Sequence, residues 1–167
     1  HRHRIEHGTV LTPELMDRIK KNNIIAVPQP YFVEAFGDKY IAMYGDRTKY
    51  LFPCKKYFDK GIFVAGSSDF MATTGNIIWN IHLALNRATA SGVPFHPEDE
   101  ININQAIRMF TYNGAYASFE EDIKGSLEVG KLADMIVLSE PILSVEKNKI
   151  RDIEVDMLIC EIEGYNK

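Results

Sequence analysis

The chain is poor in cysteine, has no excess of basic residues and lacks any long apolar run. Two cysteines in 167 residues are too few for a disulfide framework, so we expect Cys54 and Cys160 to be free thiols in a reducing cytoplasm. A net charge of -4 argues against nucleic acid as a partner. No apolar segment approaches the ~20 residues of a membrane span, and no signal-peptide pattern is visible. These absences predict a soluble, cytoplasmic protein.

Two further absences narrow the class of fold. The sequence has no internal repeat or low-complexity segment, and its length fits one domain with a sizeable core. The Gly-Ser-Ser-Asp run at residues 66–69 lacks the glycine spacing of a phosphate-binding loop. A nucleotide-binding α/β module is therefore a weak alternative.

The first thirty residues predict a strand, a helix and a second strand. Residues 1–8 look like a strand in progress, with His7 at its carboxyl end. Thr12 followed by Pro13 is typical of a helix start. The apolar run at residues 24–27 then predicts a buried strand. This order is that of a βαβ unit.

The next segment is rich in aromatic residues and leads to a candidate acid. Residues 31–52 form either a long functional loop, such as a lid, or a helical insertion that packs its aromatics into the core. A helix at residues 53–60 and a buried strand at residues 62–66 follow. Asp69 comes just after that strand, where the catalytic groups of (β/α) barrels collect. The structural alternative is that Asp69 caps a helix.

The second half of the chain predicts helices and then strands. Residues 76–90 form an amphipathic helix, and His82, which flanks its apolar stripe, is expected at the surface or boundary. Shorter helices are predicted after Asn102 and at residues 114–119. The apolar runs at residues 135–138 and 155–162 predict strands. The fold class is α/β.

Several motifs resemble one family in its own order along the chain. Arg-His-Arg-Ile-Glu-His at residues 2–7, Gln-Pro at 29–30 and Gly-Ser-Ser-Asp at 66–69 resemble the sixth-, seventh- and eighth-strand motifs of the amidohydrolase superfamily. Thr-Tyr-Asn-Gly-Ala-Tyr-Ala-Ser at 111–118 and Gly-Ser-Leu-Glu-Val-Gly-Lys-Leu-Ala-Asp at 125–134 are similar to the segment that leads back to the family's small β-domain. The chain thus resembles the YtcJ-like metal-dependent hydrolases (amidohydrolase family 3).

The resemblance implies the C-terminal portion of a (β/α)8 metal-dependent hydrolase barrel. Residues 1–120 would supply the equivalent of strands six to eight, and residues 121–167 part of the small β-sandwich domain. The family's first-strand His-x-His pair and its fourth- and fifth-strand ligands have no counterpart, and His3 cannot replace them because it lies ~13 Å from His7 along an extended strand. We therefore expect the isolated chain to be inactive and to self-associate through exposed strand edges.

The resemblance also implies the site. His7 would ligate a divalent metal, expected to be zinc in the complete enzyme, and Asp69 would contact the metal and act as general base toward water. Gln29 would contact a small-molecule substrate, and no organic cofactor is implied. The implied reaction is hydrolysis of a carbon–nitrogen bond in a non-peptide amide. Arg4 and Glu6, on the opposite strand face, are expected to form a structural pair. The alternative function is a catalytically incomplete fragment with a structural or oligomerisation role.

Overall fold

A computed structural model describes residues 1–160 of the chain. The helices and strands follow one another as β1 (Arg4–Glu6), α1 (Pro13–Lys21), β2 (Ile25–Val27), α2 (Tyr31–Tyr44), α3 (Cys54–Asp59), α4 (Ile77–Asn86), α5 (Ile103–Met109), α6 (Tyr112–Ala117), β3 (Met135–Leu138) and β4 (Val155–Ile159). Short 3₁₀ turns at Gly45–Tyr50, Pro97–Asp99 and Ile150–Asp152 complete the set.

A small parallel sheet lies at the start of the fold. β1 and β2 run parallel, with Ile5 opposite Ala26, and α1 forms the crossover between them. Residues 62–66 lie along the other side of β2, where Ala26 pairs with Val64 in a parallel bridge. The Ala26 N–H donates to the Phe63 carbonyl at 2.9 Å, and the Ala65 N–H donates to the Ala26 carbonyl at 3.0 Å. The predicted strands and helices are therefore present in the expected order around the aromatic segment, with the third strand reduced to one bridge.

The main core lies between this sheet and the helices. It gathers apolar side chains from α1, α3, α4 and α5, and Tyr57, Val64 and Met109 within it are fully buried. Ile150 and Ile153 join the same cluster, so the segment before β4 is held against the helices. Burial of this kind provides most of the stability of helices as short as these.

The aromatic segment at residues 31–52 is helical, so the expectation of a long loop is wrong. The alternative of a helical insertion is correct for the backbone, but of the segment's aromatic side chains only Phe52 is buried, and Phe36 and Tyr44 are exposed. α2 places aromatic residues four apart, on one face of the helix. Successive ring centroids from Phe32 through Phe36 and Tyr40 to Tyr44 are 5.3, 6.1 and 5.8 Å apart. Phe52 packs against both Phe32 and Tyr40. We call these four helical residues the aromatic stripe.

α4 ends earlier than its sequence pattern predicts, at Asn86 instead of residue 90. The next residue, Arg87, takes a left-handed conformation with φ of 43°. Its guanidinium group is buried and donates hydrogen bonds to the backbone carbonyls of Phe52, Phe95 and His96. The helix thus ends at the residue whose side chain joins α4 to the segments around Phe52 and Phe95.

His82 on α4 is buried, which corrects its predicted surface or boundary position. Only 8% of the residue is exposed. Its Nδ1 lies 3.2 Å from the Lys147 carbonyl and 3.1 Å from the Asn86 amide nitrogen. The segment that contains Lys147 covers this face of α4, and the periodicity of α4 alone contains no information about that distant segment.

The C-terminal part of the described chain is an antiparallel pair of strands. Met135 pairs with Ile159 at one end, and a register irregularity follows Val137. Many apolar side chains of the pair are exposed, Leu158 by 67%. The predicted strand at residues 155–162 is confirmed as far as Ile159, and residues 161 and 162 lie outside the described part. The domain boundary at residues 120 and 121 stays a prediction. Among residues 1–160, every helix is too short or too polar to cross a bilayer.

Candidate metal and catalytic site

His7 and Asp69 lie at the same edge of the parallel sheet. His7 directly follows β1, and Asp69 comes three residues after the segment 62–66. Carboxyl ends of parallel strands meet at one edge, which is where barrel enzymes place their chemistry. β2 separates the two, so their strands are roughly 10 Å apart. The end of β2 leads to Gln29, which lies between the two candidates in strand order.

The backbone of His7 is fixed from two sides. It has a φ of 64°, in the left-handed region that non-glycine residues seldom occupy. Its N–H donates to the Val27 carbonyl at 3.0 Å. The carbonyl of the next residue, Gly8, accepts a hydrogen bond from the Tyr57 hydroxyl at 3.0 Å. These contacts turn the chain at the end of β1 and hold the imidazole at the sheet edge.

The His7 ring is held by one stacking contact and one hydrogen bond. The ring stacks on Phe32, the first residue of the aromatic stripe, with centroids 5.6 Å apart and planes inclined by 13°. Its Nδ1 lies 3.1 Å from the Gln29 Oε1. The Gln29 side chain amide donates in turn to the Val27 carbonyl at 3.0 Å. No hydrogen bond to the His7 Nε2 is present within residues 1–160.

Asp69 is held through its backbone, and its carboxylate has no hydrogen-bond or ion-pair partner among residues 1–160. Its N–H donates to the Ser67 hydroxyl at 3.0 Å. Its carbonyl accepts from the N–H groups of Ala72 and Thr73 at 2.8 and 3.1 Å. The residue is partly exposed, and its φ is 58°. The turn after the strand thus leaves the carboxylate available.

The alternative that Asp69 caps a helix is wrong. The next helix, α4, is capped by Asn76, whose side chain accepts a hydrogen bond from the Trp79 N–H at 3.0 Å. Arg4 and Glu6 do form an ion pair at 3.0 Å, with both side chains about half exposed. This agrees with their predicted structural role.

The donor set fits part of a zinc site. Imidazole nitrogen and carboxylate oxygen are ligand types that zinc prefers, and catalytic zinc commonly has three protein ligands. Within residues 1–160, no group of three or more His, Cys, Asp or Glu side chains is placed to hold a metal. His7 and Asp69 could therefore supply two ligands. Their assignment as ligands stays a prediction.

Sequence reasoning missed the contacts around His7. It expected Gln29 to contact substrate, and that role stays a prediction, but only 1% of Gln29 is exposed. It also did not identify Phe32 or Tyr57 as neighbours of the site. The sequence offered one signal for these contacts. Gln29 lies between Pro28 and Pro30 directly after a buried strand, where a side-chain amide must find hydrogen-bond partners inside the protein.

Comparison with known proteins gives one consistent family. The profile described as the Amidohydrolase family matches residues 1–161. The N-substituted formamide deformylase of Arthrobacter pascens is 28% identical over 91% of this chain and 28% of its own length. The putative amidohydrolase YtcJ of Bacillus subtilis is 28% identical over 91% of this chain and 30% of its own. The chain thus spans less than a third of these relatives.

A solved structure supports the same grouping at the level of the fold. An uncharacterized metal-dependent hydrolase from Pyrococcus horikoshii superposes with a TM-score of 0.75 and 24% identity, over 86% of this chain and 30% of that one. The mixed α/β fold of the chain is therefore that of part of such a hydrolase, while its assignment to barrel strands six to eight stays a prediction. On the match of the family profile across nearly the whole sequence, the chain belongs to the amidohydrolase family.

Proposed function

We propose that the chain contributes His7 and Asp69 to the site of a metal-dependent hydrolase that cleaves a carbon–nitrogen bond in a small, non-peptide amide. The observation that carries the proposal is their placement. Both follow parallel strands at the same sheet edge, and neither the His7 Nε2 nor the Asp69 carboxylate has a partner within residues 1–160. A lone-pair nitrogen and a carboxylate at that edge are suited to a metal and a water molecule.

In the proposed reaction, water adds to the carbonyl carbon and the bond from that carbon to nitrogen breaks. A divalent metal, with zinc as the expected ion, would lower the pKa of water towards ~7 and polarise the carbonyl group. Asp69 would accept the proton from the attacking water at a carboxylate oxygen. The same proton can then pass to the departing nitrogen, so that an acid and an amine are released. His7 would hold its ligand position through the contacts described above.

The aromatic stripe supports a substrate with an apolar substituent. It begins at Phe32, which stacks on His7, and continues to Phe36, which is 37% exposed. An apolar group attached near the scissile bond would meet these rings. The relative from Arthrobacter pascens is named for N-substituted formamides, and we propose an amide with an apolar N-substituent as the substrate class here.

A zinc titration by calorimetry tests the proposed ligands. His1 and His3 lie close together on the surface, with ring centroids 5.6 Å apart, and Cys160 is an exposed thiol. All three could bind zinc adventitiously, so the background chain should carry His1→Ala, His3→Ala and Cys160→Ser. In that background we expect micromolar or tighter binding that His7→Ala and Asp69→Ala each abolish.

The controls separate the proposal from its alternative. Asp46→Ala, which removes an exposed carboxylate from a 3₁₀ turn, should leave zinc binding unchanged. Zinc binding that survives both His7→Ala and Asp69→Ala contradicts the assignment. Absence of binding in the background chain, together with self-association in light scattering, supports the alternative of a structural or oligomerisation role.

A further inference from the structure

We infer that Gln29 is a positioning residue that fixes the His7 imidazole with its proton on Nδ1 and its lone pair on Nε2. The consequence for metal binding rests on the proposed function, but the tautomer itself does not. Gln29 would act by contacting the His7 ring from the end of β2.

The orientation of the Gln29 amide is set by the Val27 carbonyl. That oxygen accepts the His7 backbone N–H at 3.0 Å and lies 3.0 Å from the Gln29 amide nitrogen. If the amide were turned over, its oxygen would face the carbonyl oxygen of Val27, and two acceptors would oppose each other. The Gln29 Oε1 must therefore be the atom that faces His7.

An oxygen acceptor at 3.1 Å from Nδ1 requires a proton on that nitrogen. A neutral imidazole has one N–H donor and one lone-pair nitrogen, so the lone pair is then on Nε2. Since only 1% of Gln29 is exposed, water has little access to compete for its oxygen. If the proton moved to Nε2, the buried Gln29 Oε1 would lose its hydrogen bond. Leaving a buried acceptor without a partner lowers stability.

Stacking and hydrogen bonding have separate effects on the ring. The contact with Phe32 fixes the plane of the imidazole, but a half-turn about the Cβ–Cγ bond leaves that plane unchanged and would keep the stack. Among the ring's contacts with residues 1–160, only the hydrogen bond to Gln29 distinguishes the two orientations, because the half-turn would bring a carbon atom to the amide oxygen. Gln29 thus selects both the tautomer and the ring orientation.

This arrangement prepares Nε2 for a metal. Histidine binds metals through a neutral ring nitrogen, and the hydrogen bond at the other nitrogen decides which one is available. Loss of such a supporting partner commonly weakens metal binding about 10- to 100-fold. We therefore expect Gln29 to strengthen zinc binding without touching the ion.

The test compares one substitution at position 29 with a matched control. Gln29→Met keeps an unbranched side chain of similar length but removes the acceptor. Gln105→Met removes the half-buried glutamine of the α5 capping box and serves as control. Long-range ¹H–¹⁵N spectra of the metal-free chain, recorded well above the histidine titration range, report which His7 nitrogen carries the proton.

Wild type and Gln105→Met should show the proton on Nδ1, and Gln29→Met should shift it towards Nε2. Zinc affinity, measured in the background that carries His1→Ala, His3→Ala and Cys160→Ser, should fall about 10- to 100-fold in Gln29→Met. A wild-type spectrum with the proton on Nε2, or a folded Gln29→Met protein with an unchanged tautomer, would overturn the inference. Should that background chain bind no zinc, the proposed function fails, while the spectra still decide the role of Gln29.

Discussion

The Tyr57 hydroxyl connects the core to the candidate site, and Tyr57→Phe isolates its contribution. Tyr57 on α3 is fully buried, and its hydroxyl donates to the carbonyl of Gly8, the residue after His7, at 3.0 Å. Burial raises the pKa of the phenol well above its ordinary value, so the group stays protonated and can donate. The substitution removes this hydrogen bond and leaves the buried ring in place.

The expected loss of stability in Tyr57→Phe depends on whether the Gly8 carbonyl finds another hydrogen-bond partner. A typical hydrogen bond contributes about 0.5–1.5 kcal/mol net, and a buried carbonyl left without a partner costs about 1–3 kcal/mol. Gly8 is half-buried, so water can reach its carbonyl in part. We expect the free energy of unfolding to fall by about 1–2 kcal/mol. Tyr57→Ala, which also empties the ring's space, should cost about 3–5 kcal/mol.

Urea denaturation followed by circular dichroism measures both changes, provided that the denaturant slope is the same in each variant. Tyr44→Phe is the matched control, since Tyr44 is 38% exposed and its hydroxyl has no hydrogen bond to residues 1–160. We expect that control to change stability by less than about 0.5 kcal/mol. If Tyr57→Phe costs as much as Tyr57→Ala, or no more than Tyr44→Phe, the reasoning is refuted.

Two further changes test packing and burial. A Cβ on Gly66 would lie 2.6 Å from the Phe110 ring, so Gly66→Ala should lower stability by about 1–3 kcal/mol. Gly114 lies in α6 with open space around it, so Gly114→Ala should raise stability by about 0.5–1 kcal/mol. Equal shifts of the thermal unfolding midpoint in the two variants would contradict this. Burial lowers the pKa of His82, so the unfolded state binds more protons and stability falls as pH drops below ~6.5. His82→Gln should reduce that fall in urea midpoints measured at about pH 7.5 and pH 5; an unchanged fall would show that His82 does not cause it.

The order of elements could be read from the sequence because it depends on local signals. Thr12 and Pro13 start α1, and the Thr12 hydroxyl does accept the Leu15 N–H. Short apolar runs mark β2 and the segment 62–66. These patterns are dictated by backbone hydrogen bonding and by periodicity within a few residues. The same local patterns predicted that His7 and Asp69 follow strands. In the structure the carboxyl ends of those strands lie at one edge of the sheet.

Contacts between distant segments could not be read in this way. His82 is covered by the segment around Lys147, and Arg87, which follows the end of α4, donates to the carbonyls of Phe52 and Phe95. None of these partners lies within a helical turn of the residue it contacts. A periodic pattern describes one helix face, but it contains no information about which segment covers that face.

By itself the sequence determined the family, the order of strands and helices, and two candidate side chains at strand ends. Only the tertiary structure decided how His7 is held. Its ring meets Phe32 from α2 and Gln29 from the end of β2, and its backbone turn is fixed by Val27 and Tyr57. The physical reason is that a tautomer depends on which atom faces the ring nitrogen, and that atom is placed by packing and not by neighbours in sequence.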